Sequence, residues 1–297
     1  MHVGEHKRTG IFLADDRHKY IDAPPVFAKA VVAAAFSPRL TAVLNEAHRI
    51  LKLLGTWPVI AHVGDESPTT RVRLEEAIDR SHFGEHPPVC IIQHGNPADV
   101  LIQVAVEHDA DLIVAGALAK EGLFKYYLGS VARTIARQAP CSVLLFTEPQ
   151  VKPQPLHKIH CAVEYREGAQ SAVRVAAALA AYARTRYLYY THSFTSEEIE
   201  EKRRVENRSE LIRQFYQKED EKLKSYIKGV GVEDVQYEAR CLYDYARSTT
   251  LNFTREVEAD LFIIHGPTDR FSLWNRMFGQ DLELALHHLP CSVLLTR

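Results

Sequence analysis

Ala139-Pro140-Cys141-Ser142-Val143-Leu144-Leu145 is answered later in the chain by Leu289-Pro290-Cys291-Ser292-Val293-Leu294-Leu295. The likeness reaches upstream. Asp111-Leu-Ile-Val-Ala-Gly116 leads to Gly129-Ser130 in the first copy, and Asp260-Leu-Phe-Ile-Ile-His-Gly266 leads to Gly279-Gln280 in the second. Three landmarks keep one offset of 150 residues (266 − 116, 279 − 129, 290 − 140). Self-similarity at so long a period means duplicated domains, not a solenoid of short units. A chain of 297 residues has room for two domains of common size.

Each copy alternates short apolar runs with amphipathic stretches, the pattern of a parallel sheet with crossover helices. In the first, Ala30–Phe36 reads as a strand, and Ser37-Pro38 as the N-cap and first residue of a helix that Gly55 stops. Strands follow at Pro58–Val63, Val89–His94, Asp111–Ala115 and Ser142–Phe146, with helices from Asn96-Pro97 to Glu107 and over Ser130–Gln138. The second copy runs in the same order, with strands at His160–Glu164, Tyr187–Thr191, Val235–Leu242, Leu261–His265 and Ser292–Thr296. Helices are expected over Gly168–Arg184, up to Glu258, and up to His288.

These limits set the domains at 27–147 and 157–297, preceded by an N-terminal extension over 1–26. Residues 148–156 form a linker stiffened by Pro149, Pro153 and Pro155. The second copy owes its extra length to a predicted helix over Ser196–Lys228, which carries nine acids and nine bases. Ile212, Tyr216, Leu223 and Ile227 fall on one stripe of it, the mark of a surface helix packed along one face. That helix is either a solvated extension of the usual crossover or an arm for a protein partner.

A net charge of −2 gives no pull toward nucleic acid or anionic membrane. Five scattered cysteines without a CxxC pair argue against a disulfide framework or a zinc ribbon and point to a reducing cytoplasm. No apolar run approaches the length of a membrane span. The fifteen histidines show no HExxH or Cys/His ligand spacing, so no metal site is expected. Cys141, Cys291, Trp57 and Trp274 read as packing residues. His62 and His192, each near the end of the second strand of its copy, suggest one shared packing role.

Open parallel sheets bind ligands beyond the carboxyl ends of their strands, where the strand order reverses. The loop after the fourth strand of the first copy is therefore the place to search. Gly116 and Gly129 permit close backbone approach, and Ser130 opens a helix whose first N–H groups attract anions. Lys120 and Lys125 would add positive charge. A structural turn that fits helix to strand is the competing reading.

Strand, glycine loop, Gly-Ser, helix and Ala-Pro-Cys-Ser-Val together resemble the universal stress protein family. The likeness includes Phe36-Ser37-Pro38, His62-Val63 and Gly95-Asn96-Pro97-Ala98, covers the first half, and extends more loosely to the second. It implies two tandem doubly wound α/β domains of the adenine nucleotide alpha hydrolase-like kind. Each would have a five-stranded parallel sheet in the order 3-2-1-4-5, paired through the last strands.

ATP-binding members carry Gly-2x-Gly-9x-Gly-[Ser/Thr] at this loop. The first copy keeps Gly116, Gly129 and Ser130 with Val131, and has Val63 beside the base. Ala119 replaces the middle glycine, at a cost of about 1 kcal/mol if the position needs φ > 0. Ala35 replaces an adenine-side aspartate. In the second copy Glu164 keeps a carboxylate and Gly266 and Gly279 remain, but Asp269 and Gln280 stand at the phosphate end. A carboxylate facing a polyphosphate is repulsive.

The expected function is cytosolic and regulatory, by binding an adenine nucleotide or an anion in the first copy only, with magnesium only as the nucleotide's companion. The alternatives are an interaction protein that uses the long helix or domain surfaces, with homodimerisation also open, and a slow ATP hydrolase. Glu121 is the only acid inside the first-copy loop, too little for the hydrolase's base and metal ligands.

Overall fold

The computed structural model describes residues 26–83, 88–117, 129–194, 208–232, 235–243, 249–266 and 289–297. Within them ten strands form one sheet in the order β3-β2-β1-β4-β5-β10-β9-β6-β7-β8. The first five are β1 (Lys29–Ala33), β2 (Trp57–Val63), β3 (Val89–Gln93), β4 (Leu112–Gly116) and β5 (Ser142–Phe146). The second five are β6 (Lys158–Ala162), β7 (Tyr187–Phe194), β8 (Glu238–Tyr243), β9 (Leu261–His265) and β10 (Ser292–Thr296). Every neighbouring pair is parallel except β5 and β10, which meet antiparallel. The order outward from that seam is the same on both sides, so the two Pro-Cys-Ser-Val-Leu-Leu strands lie side by side.

The helices are α1 (Leu40–Leu54), α2 (Pro68–Asp79), α3 (Pro97–Glu107), α4 (Ser130–Gln138), α5 (Gln170–Ala183), α6 (Arg208–Val230) and α7 (Thr249–Glu256). Alternation along the strands sends side chains to two cores. Val32, Leu112, Leu144, Ile159 and Leu294 pack under α1, α2, α5 and α6. Val31, Ile113, Val143, Phe262 and Val293 pack with α3, α4 and α7 on the other face. Both cores draw residues from both halves.

Asn96 caps α3 by accepting from Ala98 N and Asp99 N, with Pro97 at the first position, as expected. The start of α1 differs. Ser37 does not cap it; its hydroxyl takes the Arg39 N–H at 3.3 Å, making a turn that delays the helix to Leu40. Gly55 ends that helix at φ 67, the left-handed region that glycine adopts without penalty. Helix α2 was not expected, although Ser67 accepts from Thr70 N and Pro68 follows it as a standard start. Only Leu74 and Ile78 of α2 are buried, so its apolar stripe is short. Trp57 is not the expected packing residue: it stands at the edge of β2, 47% exposed. Of the long helix, Leu223 and Ile227 are buried as the stripe predicts. Trp274, the helix expected to end at His288, and the portion of the long helix before Arg208 lie outside the described residues.

The two halves are most alike in paired clasps. Asp111 accepts the N–H groups of Ala28 and Lys29, and Asp260 accepts those of His157 and Lys158. Thr56 donates to Phe27 O, and Thr185 donates to Leu156 O, both at 2.9 Å. Asn45 holds the linker down, donating to Val151 O at 2.8 Å while its oxygen takes the His82 N–H.

One buried polar group belongs to the second half alone. His160 on β6 is fully enclosed between the Thr254 and Thr191 hydroxyls, at 2.8 and 2.7 Å. The Thr254 hydroxyl donates to Thr250 O, so it accepts from Nδ1–H of His160, and Nε2 accepts from Thr191. Burial lowers the imidazole pKa to about 3 from 6.5. The unfolded chain therefore binds a proton that the folded chain refuses between those values. This stability is complete above pH 6.5 and is lost as pH falls, by about 1.4 kcal/mol per unit. Urea unfolding of His160→Gln is expected to lose about 2 kcal/mol less than the parent between pH 7 and pH 5.

Candidate functional site

A cavity of about 230 Å³ opens at the carboxyl ends of β1, β2 and β4, where the strand order reverses between β1 and β4. Ala33, Ala34 and Ala35 form its floor, Ala61 and Val63 one wall, and Ala115, Gly116 and Ala117 another. Leu40 and Val43 of α1, Leu101 of α3, and Gly129, Val131 and Ala132 at the start of α4 complete it. Arg39 is the one charged side chain among the described lining residues. Its guanidinium donates to Thr147 O at 3.3 Å.

Of the residues expected from sequence, Ala35, Val63, Gly116, Gly129 and Val131 converge on this cavity. Ser130 is the exposed first residue of α4, whose N-cap is Gly129 without a side-chain cap, so the first turn presents backbone N–H groups. Ala119, Lys120, Glu121 and Lys125 lie outside the described residues, as do Asp269, Gly279, Gln280, His287 and His288.

Two features escaped the sequence reading. The first is a stack that fixes the cavity floor. His62 donates through Nδ1 to Ala34 O at 2.7 Å, Phe36 lies on its ring at 4.0 Å between centroids, and Arg73 of α2 sits 4.2 Å over Phe36. The second half repeats it with other residues. His192 meets Val163 O at 2.9 Å, Tyr165 covers it at 4.0 Å, and Lys222 of α6 sits 4.4 Å over Tyr165. Each layer joins an outer helix to the loop after the first strand, and a cation over an aromatic face contributes roughly 0.5–1 kcal/mol at a partly exposed site. The two histidines thus share the packing role expected of them.

The second feature corrects the alignment of the halves. The repeat places Gly116 opposite Gly266, but strand register does not. Gly116 pairs with Phe146, and its counterpart beside Thr296 is His265. The Ala117 N–H bonds Phe146 O at 2.7 Å, and the Gly266 N–H bonds Thr296 O at 2.8 Å, so Gly266 answers Ala117. The segment from Asp260 to Gly266 is one residue longer than that from Asp111 to Gly116, and this length difference was the available signal. The same correspondence sets Glu164 opposite Ala35, Arg166 opposite Ser37, Gly168 opposite Arg39 and Ala172 opposite Val43. Glu164 and Arg166 form an ion pair.

Cys141 is buried as expected, and burial pushes its thiol up to about 11, far from a reactive thiolate. Among the described residues no group of three His, Cys, Asp or Glu side chains is placed to hold a metal. Among them, too, no helix is long and apolar enough to cross a membrane.

Residues 68–147 match the universal stress protein family. A universal stress protein of Methanothermobacter thermautotrophicus is 39% identical over 64 residues, 20% of this chain and 43% of its own length. One from Thermus aquaticus is 36% identical over 55 residues, 18% of this chain and 40% of its own length. The chain thus spans less than half the length of these curated relatives. The fold extends further. A Pseudomonas aeruginosa protein of unknown function, 17% identical, superposes with a TM-score of 0.66 over 91% of this chain and 92% of its own. A universal stress protein of Archaeoglobus fulgidus, 12% identical, does so at 0.59 over 91% and 98%. The α/β architecture with a mostly parallel sheet is therefore that of universal stress proteins along most of the chain.

A Cβ at Gly116 would stand 2.9 Å from Val43 Cγ2, closer than carbon contacts allow. Gly116→Ala is expected to cost about 1–3 kcal/mol in chemical denaturation, through overpacking. Adding Val43→Ala, which sets at this position the small residue that the second half has as Ala172, is expected to relieve the contact and recover part of that loss.

Proposed function

We propose that the chain is a stress-response regulatory protein that acts by binding an adenine nucleotide in its first half. The observation that carries this is the cavity at the β1/β4 switch point with the first turn of α4 at its rim. Its alanine, valine and leucine walls suit the faces of a flat base, with the Val63 backbone at its edge. Gly129 and the N–H groups at Ser130 and Val131 suit phosphate oxygens, helped by the positive end of the nine-residue helix. Arg39 adds charge of the right sign at the same wall. Magnesium would arrive with the phosphates. On this reading both halves, 27–147 and 157–297, descend from one universal stress protein domain, and 148–156 is the join.

The base would rest on shape and backbone contacts, since Ala35 offers no polar anchor. Affinity then comes mainly from apolar burial and the helix terminus, which suits a sensor that loads and unloads with cellular nucleotide concentration. Calorimetry with ATP, ADP and AMP is expected to show one equivalent bound per chain, and thermal melting a rise of about 2–4 °C per kcal/mol of binding free energy. Ala61→Phe, which fills the cavity from β2, is expected to abolish both signals. Folded parent protein with no response to any of the three nucleotides would refute the reading.

A further inference from the structure

The position that the first half leaves as Gly116 carries an imidazole in the second. His265 is 3% exposed, and its Nδ1 has no hydrogen-bond partner among the described residues. Gly168 lies over it at φ +82, and a Cβ there would stand 3.4 Å from Cε1 of the ring. The room for the ring comes from small residues at and just before the start of the facing helix, α5. Where the first half has Arg39 and Val43 approaching from α1, the second has Gly168 and Ala172, so the space is filled from the strand instead of the helix. Around the ring, Glu164 and Arg166 take the places of the cavity-lining Ala35 and Ser37 and pair with each other. Arg297 packs against Gly266, where a Cβ would stand 3.5 Å from Cζ. It donates to Ala136 O at 2.9 Å, tying this corner to the end of α4.

We infer that the second half's cleft is filled by the chain itself, with the His265 ring standing as a built-in ligand where the first half keeps an open cavity. The class of molecule that fits is then a small neutral heteroaromatic base. A cation is disfavoured there: burial, and then Arg166 and Arg297, hold the His265 imidazole below its ordinary pKa. The pair of halves would therefore present one exchangeable site, and the second half would stay permanently in the form of an occupied one. The single exchangeable site rests on the function proposed above, whereas the filling of the second half by His265 stands whatever the first-half cavity binds.

The test is to remove the ring and return it free. His265→Gly should leave an imidazole-sized void that millimolar imidazole refills, raising the melting temperature by about 2–4 °C. Neither the parent protein nor His265→Gln, which keeps the space filled, should respond. A folded His265→Gly that imidazole does not stabilise would overturn the inference, as would an equal rise in the parent. If the glycine variant does not fold alone, His265→Ala serves in the same assay. If neither folds, recovery of soluble protein by refolding with imidazole supports the inference, and failure of imidazole to restore it counts against it.

Discussion

Everything in this molecule leans on the antiparallel contact of β5 with β10. Val143, Leu144 and Leu145 lie opposite Leu295, Leu294 and Val293. Because side chains alternate along a strand, Leu144 and Leu294 feed one core while Val143, Leu145, Val293 and Leu295 feed the other. One short ladder therefore joins two five-stranded halves into one sheet and, at the same stroke, joins both of their hydrophobic layers. It also removes two sheet edges from solvent, where apolar strands of this kind invite pairing with other chains. At the far edge of the second half Asp220 of α6 accepts the Cys241 N–H at 2.8 Å, so the long helix blunts an edge that the seam cannot reach.

Around that seam the halves keep the same mechanical parts and change the residues that make them. Aspartates clasp the entry to β1 and β6, threonines hold the preceding turns, and the cation–aromatic–imidazole stacks differ only in using Arg73 and Phe36 or Lys222 and Tyr165. The conserved element is a geometry: the loop after the first strand must be gripped from the outer helix. What the loop then encloses is free to differ, an open apolar cavity on one side and an imidazole beside an ion pair on the other.

The strands were legible because apolar runs of five to eight residues between turn signals leave few alternatives, and because the second half repeats the pattern of the first. Their order in the sheet was supplied by the resemblance to universal stress proteins, since apolar runs do not say which strand lies beside which. The site was legible through Gly116 and Gly129, whose place follows from topology, and through Val63, which the resemblance to universal stress proteins added. The stacks were not, since Arg73 and Lys222 lie on helices whose rotation no periodicity fixes; α2 buries only two residues and was passed over entirely. His265 was hidden by a plausible glycine-to-glycine match. A constant offset of 150 residues aligned Gly116 with Gly266, whereas the hydrogen-bonded register, which no sequence comparison weighs, sets Gly116 opposite His265.

Joining the halves through residues 148–156 has one more effect. In a dimer of identical subunits every substitution occurs twice, so a side chain that blocks one cleft blocks both. Covalent linkage keeps the partner at an effective concentration of order millimolar without requiring it to be identical. The exchange of Val43 and Gly116 for Ala172 and His265 is a one-sided change that a dimer of identical subunits could not make. Symmetry here survives as architecture, while the residues at the two switch points differ.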